Sequence, residues 1–461
     1  MFKKVKSIHF IGIGGIGMSG IAELLNNLGF KITGSDIIAS ENVKRLESLG
    51  IQISIGHSPN NLKNADAVVY SSAVPLDNPE ILLARSKSIP VIRRAEMLGE
   101  LISLKQTSIA VGGTHGKTTT SSMIGMILEK SGYDPTLVVG GLVSNLNTNV
   151  KLGSGDIVVV EADEYDRSFL ALNPTIAIVT NLEMEHTDCY NDLNDIENAF
   201  LQFCKSVPFY GTVILCSDSD SLMKLMPKIK KPITTYGLAN DSDYTAKNIE
   251  YSKNKSKYNL FYKNKNLGEI NINVPGKHNV LNSLASIALG MEIDAPLNLI
   301  KKGINSYKGV RRRFEIKKNK TDIFVVDDYA HHPTEVKATI DAAKNGWGKR
   351  LICVFQPHLF SRTRDFYKDF ANSLYKSDII IITDIYPARE KQIDGVTSKL
   401  ILDELSQLGH NETYHLESLN SLNNILGEIV QSEDMVITMG AGDIWRYSDK
   451  YNEYLNNRPN E

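Results

Sequence analysis

The stretch that decides the fold is V-G-G-T-H-G-K-T-T-T, from Val111 to Thr120. A short apolar run (107–111) precedes it, and a predicted helix (121–130) follows it. Free backbone N–H groups in a glycine loop, a helix N-terminus and one ammonium group are what a triphosphate requires. The common phosphate-binding spacing would need glycine at position 111. A tight strand-to-helix turn is the simpler alternative, but the Lys-Thr-Thr in this context favours a nucleotide site.

Within this loop, Thr118 directly follows Lys117, so its hydroxyl lies where a phosphate-bound Mg²⁺ would take it. The residues predicted to contact the nucleotide are Gly112, Gly113, Thr114, His115, Gly116, Lys117, Thr118 and Thr119.

Composition indicates an ordinary globular α/β protein. The length of 461 residues predicts two to four domains, and 42% of the residues are hydrophobic. The formal net charge of −2 does not favour binding to nucleic acid or to a membrane surface. No apolar run reaches the length of a membrane span, and the N-terminal apolar residues are broken by glycines, unlike a signal peptide. Four cysteines without C-x-x-C spacing fit a reduced, cytoplasmic protein.

The N-terminal part, residues 1–105, is predicted to be a small doubly wound domain. Its first strand (8–13) runs into a G-x-G-G-x-G loop, whose predicted ligand contacts are Gly14, Gly15 and Gly17. An acid about 20 residues on, Asp36, is placed to bind a ribose. The motif indicates a diphosphate near a helix N-terminus without naming the cofactor. Ser71 and Ser72 follow a later strand, where a phosphate contact and simple loop solvation are equally probable interpretations.

Acids follow the strands of the central part. The run 156–160 ends in E-A-D-E, which begins at Glu161, and the run 175–180 ends in N-L-E-M-E-H, which finishes at His186. An acid at the end of an apolar strand is the usual partner of nucleotide-bound Mg²⁺. A solvated acidic turn, and a structural histidine, are the alternatives.

Residues 243–274 are rich in Lys and Asn with alternating apolar positions, which predicts exposed hairpins with a solvated face. The helix that follows begins with H-N-V-L-N, in which Asn279 and Asn282 lie on one face. Their amide groups suit either an adenine edge or helix capping.

Three arginines before Phe314 predict an exposed turn at a domain boundary. Beyond it, apolar runs end in D-D-Y-A-H-H-P, Q-P-H-L-F-S-R-T-R, D-I-Y-P-A-R-E and G-A-G-D-I. Polar groups therefore follow every strand of a third α/β unit.

These motifs together resemble the Mur ligases of peptidoglycan precursor synthesis, over nearly the whole chain. The N-terminal glycine loop, D-D-Y-A-H-H-P and F-Q-P-H-L-F-S-R-T are similar to the alanine-adding members. The resemblance implies three α/β domains: an N-terminal Rossmann-like domain for the UDP-sugar (1–105), a central P-loop-type ATPase domain (106–309) and a C-terminal Rossmann-like domain (310–461). It also implies that the central loop is shorter than the common one, so that valine at position 111 is no defect.

The implied reaction joins the carboxylate of UDP-N-acetylmuramate to L-alanine through an acyl phosphate, with ATP and Mg²⁺. Lys117 would contact the β/γ-phosphates, Thr118 would bind one Mg²⁺, and Glu161 and His186 a second. Asn279 and Asn282 would hold the adenine, Arg313 would reach the nucleotide from the third domain, and Asp328 would bind the ribose. The alanine would lie on His358 and Arg362, and the UDP group on the N-terminal glycines with Asp36, Ser71 and Ser72. Several relatives use a carbamylated lysine at the second Mg²⁺, and Lys205 is the nearest unsupported candidate.

Three other functions stay open at this point. A recycling ligase that attaches a preformed peptide to the same UDP-sugar shares most of these motifs. A nucleotide-switch module would hydrolyse ATP without ligation, and a redox enzyme would use the G-x-G-G-x-G loop for a nicotinamide cofactor. The sequence does not indicate the oligomeric state.

Overall fold

The computed structural model describes residues 5–143, 148–185, 189–239, 241–388 and 390–458. It contains three largely parallel sheets, which follow one another along the chain. This confirms the predicted three-part α/β fold. Among the described residues, no helix combines the length and the apolar character needed to cross a bilayer.

The first sheet has five parallel strands in the order β3-β2-β1-β4-β5. Its strands and helices are β1 (Ser7–Ile11), α1 (Ile16–Asn27), β2 (Lys31–Asp36), α2 (Glu41–Ser48), β3 (Gln52–Ile55), β4 (Ala67–Tyr70), α3 (Pro79–Ser86), β5 (Val91–Arg93) and α4 (Arg94–Ile102). The order reverses between β1 and β4, and the glycine loop follows β1. Ligands of open α/β sheets bind at this switch point.

The second sheet is built around β6, which leads into the nucleotide loop. Its elements are β6 (Thr107–Gly112), α5 (Lys117–Lys130), β7 (Thr136–Val143), β8 (Thr148–Lys151), β9 (Ile157–Glu161), β10 (Ile176–Val179), α6 (Leu193–Ser206), β11 (Thr212–Cys216), α7 (Asp220–Leu225) and β12 (Ile233–Gly237). The strand order is β12-β11-β10-β6-β9-β7-β8, so β6 lies between β10 and β9. The ends of these three strands therefore bring their polar residues together.

Where the sequence predicts hairpins, three adjacent strands extend the β12 edge of the sheet, and two helices follow them. They are β13 (Tyr244–Ser252), β14 (Lys255–Tyr262), β15 (Lys265–Ile272), α8 (Lys277–Glu292) and α9 (Leu297–Ser306). In α5, residues 119–128 are all buried, because this helix is enclosed by the rest of the domain.

The third sheet has the order β16-β17-β21-β18-β19-β20, and only β16 is antiparallel to its neighbour. Its elements are β16 (Glu315–Lys317), β17 (Phe324–Asp328), α10 (Pro333–Trp347), β18 (Leu351–Phe355), α11 (Phe360–Leu374), β19 (Ile379–Thr383), α12 (Lys399–Gln407), β20 (Thr413–Leu416), α13 (Leu422–Ile429), β21 (Met435–Met439) and α14 (Ile444–Asn457). Alternate side chains of β18 enter two hydrophobic clusters, as expected for a parallel sheet covered on both faces.

The chain forms two compact units. The first comprises residues up to Thr245 with 261–266 and 281–304, and the second comprises 246–260, 267–280 and the residues from Asn305 onward. The predicted domain boundaries after residues 105 and 309 stay predictions.

Candidate active site

The nucleotide loop of the first unit depends on two glycines with positive φ. A Cβ on Gly113 (φ 127°) would lie 2.1 Å from the Thr180 hydroxyl oxygen, and one on Gly116 (φ 84°) would lie 2.5 Å from Oδ1 of Asn282. No other residue fits either position, because an added side chain would be strained and would overlap its neighbours. These glycines bring the loop close to the residues that follow β10 and to helix α8.

The end of β10 braces this loop. The N–H of Thr114 donates to the carbonyl of Asn181 (3.2 Å) and that of His115 to the side-chain oxygen Oδ1 of Asn181 (2.8 Å). The Thr180 hydroxyl donates to the His115 carbonyl. Both N–H groups therefore hold the loop's shape. Direct contact of Thr114 and His115 with the nucleotide stays a prediction.

Lys117 forms an ion pair with a buried glutamate. Its Nζ lies 2.8 and 3.0 Å from the two carboxylate oxygens of Glu164, which is fully buried, and it also donates to the carbonyls of Gly113 and Thr114. Burial opposes the lysine charge, but Glu164, Asp163 and Glu185 offset it and raise the pKa of Lys117 above its ordinary value. The ammonium is therefore charged at neutral pH. The sequence placed Glu164 among the acids that follow β9, but it did not predict that this residue pairs with Lys117.

Two of the three predicted metal ligands lie together. The Thr118 hydroxyl is 3.1 Å from Oε2 of Glu161, and the other oxygen of this carboxylate accepts the N–H of Gly140 at 2.5 Å. Hydroxyl and carboxylate oxygens are donors that Mg²⁺ prefers, so this pair fits the ion. His186 lies outside the described residues, and Lys205 is exposed on α6.

The helix after the hairpins supplies one residue to the nucleotide loop. Asn282 accepts a hydrogen bond from the Thr120 hydroxyl at 3.2 Å, with both groups buried. Asn279 donates to the carbonyl of Pro275 at 2.7 Å, one turn earlier in the chain. Their predicted contacts with adenine, and that of the buried Thr119 with the nucleotide, stay predictions.

The N-terminal glycine loop folds onto the acid that sequence reasoning assigned to a ribose. One oxygen of Asp36 accepts the N–H of Gly14 (2.8 Å), and the other accepts that of Ile38 (3.1 Å). A Cβ on Gly14 would lie 2.9 Å from both Ser40 and Val43, so glycine is needed there. Asp36 thus shapes the loop in this structure, and its contact with a ribose stays a prediction.

Arg94 connects the glycine loop with the acids after β9. A Cβ on Gly17 would lie 2.4 Å from Nη1 of Arg94, whose other terminal nitrogen is 3.9 Å from Asp163.

Of the other residues near the glycine loop, Ser71 lies beside Gly12, while Gly15 is exposed. A pocket in the first unit is lined by Ser72, Arg93, Arg94, Ala95, Glu96, Tyr165, Asp166, Arg167, Ser168, Leu170 and Ala171. The sequence carried no signal for Arg94, since it belongs to no motif.

A buried carboxylate fixes the end of the first sheet. Glu80 accepts hydrogen bonds from His9 (3.2 Å), Ser35 (2.6 Å), Asn61 (2.6 Å) and the N–H of Ser58 (3.0 Å). Burial alone would raise the pKa of Glu80, but these bonds lower it to about 2. The carboxylate therefore stays ionised and links strands β1 and β2 below the glycine loop.

In the second unit, Asp328 organises the turn that carries Arg313. Its oxygens accept the N–H groups of Phe314 (2.7 Å) and Ala330 (2.8 Å). Burial raises the pKa of Asp328 to about 6, although Arg313 and these bonds lower it. Arg313 pairs with Glu335 at 3.4 Å. The predicted nucleotide contacts of Arg313 and Asp328 stay predictions.

The expectation that the three arginines form an exposed turn is wrong in part. Arg311 is exposed, but Arg312 bonds the fully buried Asp327 and the carbonyl of Gly440, and its guanidinium lies 4.8 Å from the centre of the Tyr329 ring. The buried carboxylate and the aromatic face draw this arginine inward.

His358 and Arg362 lie together at the start of α11. Nη1 of Arg362 is 3.2 Å from Nδ1 of His358, and Arg362 is only 7% exposed. The His358 ring meets that of His331 edge to face, with centroids 5.9 Å apart. A buried guanidinium beside an imidazole is suited to bind a small carboxylate.

Three family models match successive parts of the chain. They are the Mur ligase family, catalytic domain (residues 7–106), the Mur ligase middle domain (111–290) and the Mur ligase, glutamate ligase domain (312–442). Together they cover most of the chain.

Full-length relatives agree with this match. The chain is 48% identical to a UDP-N-acetylmuramate–L-alanine ligase of Geotalea uraniireducens over 99% of both chains. Its fold is similar to the UDP-N-acetylmuramate–alanine ligase of Thermotoga maritima (TM-score 0.83, 32% identity, 97% and 98% of the two chains). It is also similar to a murein peptide ligase of Psychrobacter arcticus (TM-score 0.72, 25% identity, 99% and 100%).

Proposed function

Since this chain belongs to the Mur ligase family, we propose that it joins L-alanine to the carboxylate of UDP-N-acetylmuramate, with ATP converted to ADP and phosphate. The observation that carries the proposal is the nucleotide loop, where Thr118 lies beside Glu161 and Lys117 pairs with Glu164, two acids that lie at and just after the end of β9. We propose a cytoplasmic location for this step of peptidoglycan synthesis.

The chemistry explains why ATP is needed. A carboxylate is a poor acyl donor, because oxide is a poor leaving group. Attack of a carboxylate oxygen on the γ-phosphorus releases ADP and gives an acyl phosphate. The alanine amine then attacks the acyl carbon, and the tetrahedral intermediate expels phosphate as the amine loses a proton. Two anions must meet in the first step, so most of the catalysis is charge neutralisation and positioning.

The first unit supplies the positive charge for this step. Lys117 is held charged beside Glu164, and we propose that it binds the β/γ-phosphates. Thr118 and Glu161 would hold Mg²⁺, which supplies further neutralisation of the phosphate oxygens when bound. The glycine loop that Asp36 shapes would bind the UDP diphosphate at the N-terminus of α1.

The second unit supplies the amino-acid site in this proposal. Arg362 would pair with the alanine carboxylate, and its contact with His358 fixes both side chains. Because Arg362 is almost fully buried, the pairing would take place away from bulk water, where it is stronger.

The second candidate is a recycling ligase that takes a preformed peptide, as the similarity to the Psychrobacter arcticus enzyme suggests. The purified chain is assayed for phosphate release with ATP, Mg²⁺ and UDP-N-acetylmuramate, and with either alanine or a tripeptide as acceptor. We expect release that needs both the sugar and alanine, and a product whose mass equals the sugar plus one alanine residue.

Three other outcomes would contradict the proposal. Faster release with the tripeptide than with alanine would identify the recycling activity. Release that needs neither sugar nor acceptor would favour a nucleotide switch. Tight binding of a nicotinamide dinucleotide would favour the redox alternative.

A further inference from the structure

The chain segment that carries Tyr386 packs against His358, although no residue of this segment belongs to the predicted site. This segment follows β19. The N–H of Tyr386 donates to the Pro357 carbonyl (2.8 Å), and the Tyr386 carbonyl accepts the N–H of Leu359 (3.0 Å). These two bonds form a parallel bridge that holds the backbone on both sides of His358.

The side chains repeat this contact. The rings of Tyr386 and His358 are stacked, with centroids 5.8 Å apart and planes inclined by 13°. Tyr386 in turn packs on the backbone after β21, where a Cβ on Gly442 would lie 2.6 Å from Cγ of the tyrosine. The tyrosine ring is thus fixed between two chain segments, and it limits the tilt of the imidazole.

Arg362 restricts the rotation of the His358 imidazole within its own plane. A guanidinium is always a donor, so the 3.2 Å contact makes Nδ1 of His358 the acceptor. The neutral ring then carries its proton on Nε2. Stacking on Tyr386 fixes the plane of the ring, and the arginine fixes its rotation within that plane.

The turn between His358 and α11 is strained and needs support. Leu359 has φ 71° and ψ 137°, a backbone conformation that residues other than glycine rarely adopt. Its N–H donates to Tyr386, while its carbonyl accepts both the N–H and the hydroxyl of Thr363. The carbonyl of Tyr386 is therefore one of the groups that maintain the turn.

The far end of the same segment is tied to α11. Glu390 accepts hydrogen bonds from the N–H and the hydroxyl of Ser361, in the first turn of the helix. A carboxylate is favourable there because the helix N-terminus is electropositive. The segment is thus attached to the start of α11 at Tyr386 and again at Glu390.

We propose that Tyr386 is a positioning residue for the amino-acid acceptor. It holds His358 in the orientation in which His358 and Arg362 together bind a small α-amino acid. This inference rests on the proposed function, because it assumes that the pair binds the acceptor.

The test is the steady-state kinetics of Tyr386→Ala, with each substrate varied in turn. We expect the KM for alanine to rise about tenfold or more, which corresponds to about 1.4 kcal/mol, while the KM values for ATP and the UDP-sugar stay within about twofold. Tyr386→Phe keeps the ring and the backbone bonds, so its KM for alanine should stay within about threefold of the parent's.

The matched control is Tyr375→Ala. Tyr375 also packs its ring on a histidine, His410, with centroids 5.6 Å apart. It follows the last residue of α11, roughly 20 Å from the start of that helix. The KM of the Tyr375→Ala variant for alanine should equal the parent's.

Tyr386 has no positioning role if Tyr386→Ala leaves the KM for alanine unchanged, or if it raises the KM for ATP equally. A phenylalanine variant as impaired as the alanine variant would also overturn the inference. If Tyr386→Ala does not fold, as judged by circular dichroism, Glu390→Gln replaces it. This variant loosens the segment and should raise the KM for alanine alone, and an unchanged KM would count against the inference. Failure of the proposed function is seen separately, because the parent would then make no alanine-dependent product.

Discussion

Replacing Lys117 with alanine should damage this protein in two separable ways. The change removes the ammonium that we place at the β/γ-phosphates. It also takes the lysine charge away from Glu164, which is fully buried and lies 2.8 Å from that charge. The variant is therefore expected to lose activity and stability for different physical reasons.

The structure sets the size of each effect. Removing one partner of a buried ion pair costs roughly 3–5 kcal/mol, and the 16% exposure of the Lys117 side chain favours the lower end. For a domain of this size, a loss of about 1 kcal/mol in unfolding free energy lowers Tm by about 2–4 °C. We therefore expect the Tm of Lys117→Ala to lie roughly 6–12 °C below the parent's. Turnover should fall by at least about three orders of magnitude from lost phosphate stabilisation.

Four proteins separate the two effects: the parent, Lys117→Ala, Glu164→Gln and the double variant. Thermal unfolding and phosphate release are measured on each. The double variant removes both charges, so it should recover about half or more of the lost Tm while its turnover stays as low as that of Lys117→Ala.

Three results would refute this reasoning. A Tm of Lys117→Ala within about 2 °C of the parent's, or a double variant no more stable than Lys117→Ala, would show that the pair is not a buried counter-ion pair. Near-normal turnover of Lys117→Ala would remove this residue from the ATP site.

Three further predictions concern other parts of the molecule. Arg362→Ala should raise the KM for alanine roughly tenfold or more and that for ATP much less, because a charge-assisted hydrogen bond is lost; equal effects on both would place Arg362 outside the amino-acid site. Glu161→Gln should raise the Mg²⁺ concentration needed for half-maximal activity by about tenfold, and an unchanged Mg²⁺ titration would exclude Glu161 as a ligand. Because the pKa of Glu80 is lowered from 4.5 to about 2, its contribution to stability is complete above pH 4.5 and is lost as the pH falls towards 2. The Tm difference between the parent and Glu80→Gln should therefore shrink over that range, and a constant difference would contradict the assignment.

The sequence indicated the contacts of the candidate site that depend on neighbouring residues. Lys117 and Thr118 are neighbours in a glycine loop, and Glu161 follows an apolar run directly. Strand order then brings Thr118 and Glu161 into contact, since β9 pairs with β6. The three-part fold was predictable for a similar reason, because apolar strands and helices alternate along the chain.

The partner of Lys117 was not predictable in this way. Glu161, Asp163 and Glu164 are equivalent candidates in the sequence. Which carboxylate faces the lysine depends on how the chain leaves β9, and the next turn has positive φ at Asp166 and Arg167. Residue types alone do not indicate such a backbone.

Long-range contacts account for the other differences. The inward position of Arg312 depends on Asp327 and Gly440, of which the second is far away in the sequence. Tyr386 meets His358 only because β18 and β19 are adjacent strands.

The pairing of Lys117 with Glu164 has a consequence for the catalytic cycle. Before nucleotide binds, the lysine already has a counter-charge, so under the proposed function ATP would compete with an internal anion for it. The same competition acts on ADP after the γ-phosphoryl group has left, when fewer negative charges remain to hold the lysine. In the proposed site, this pair therefore weakens nucleotide binding at both ends of the cycle and favours an empty site at the end of each turnover.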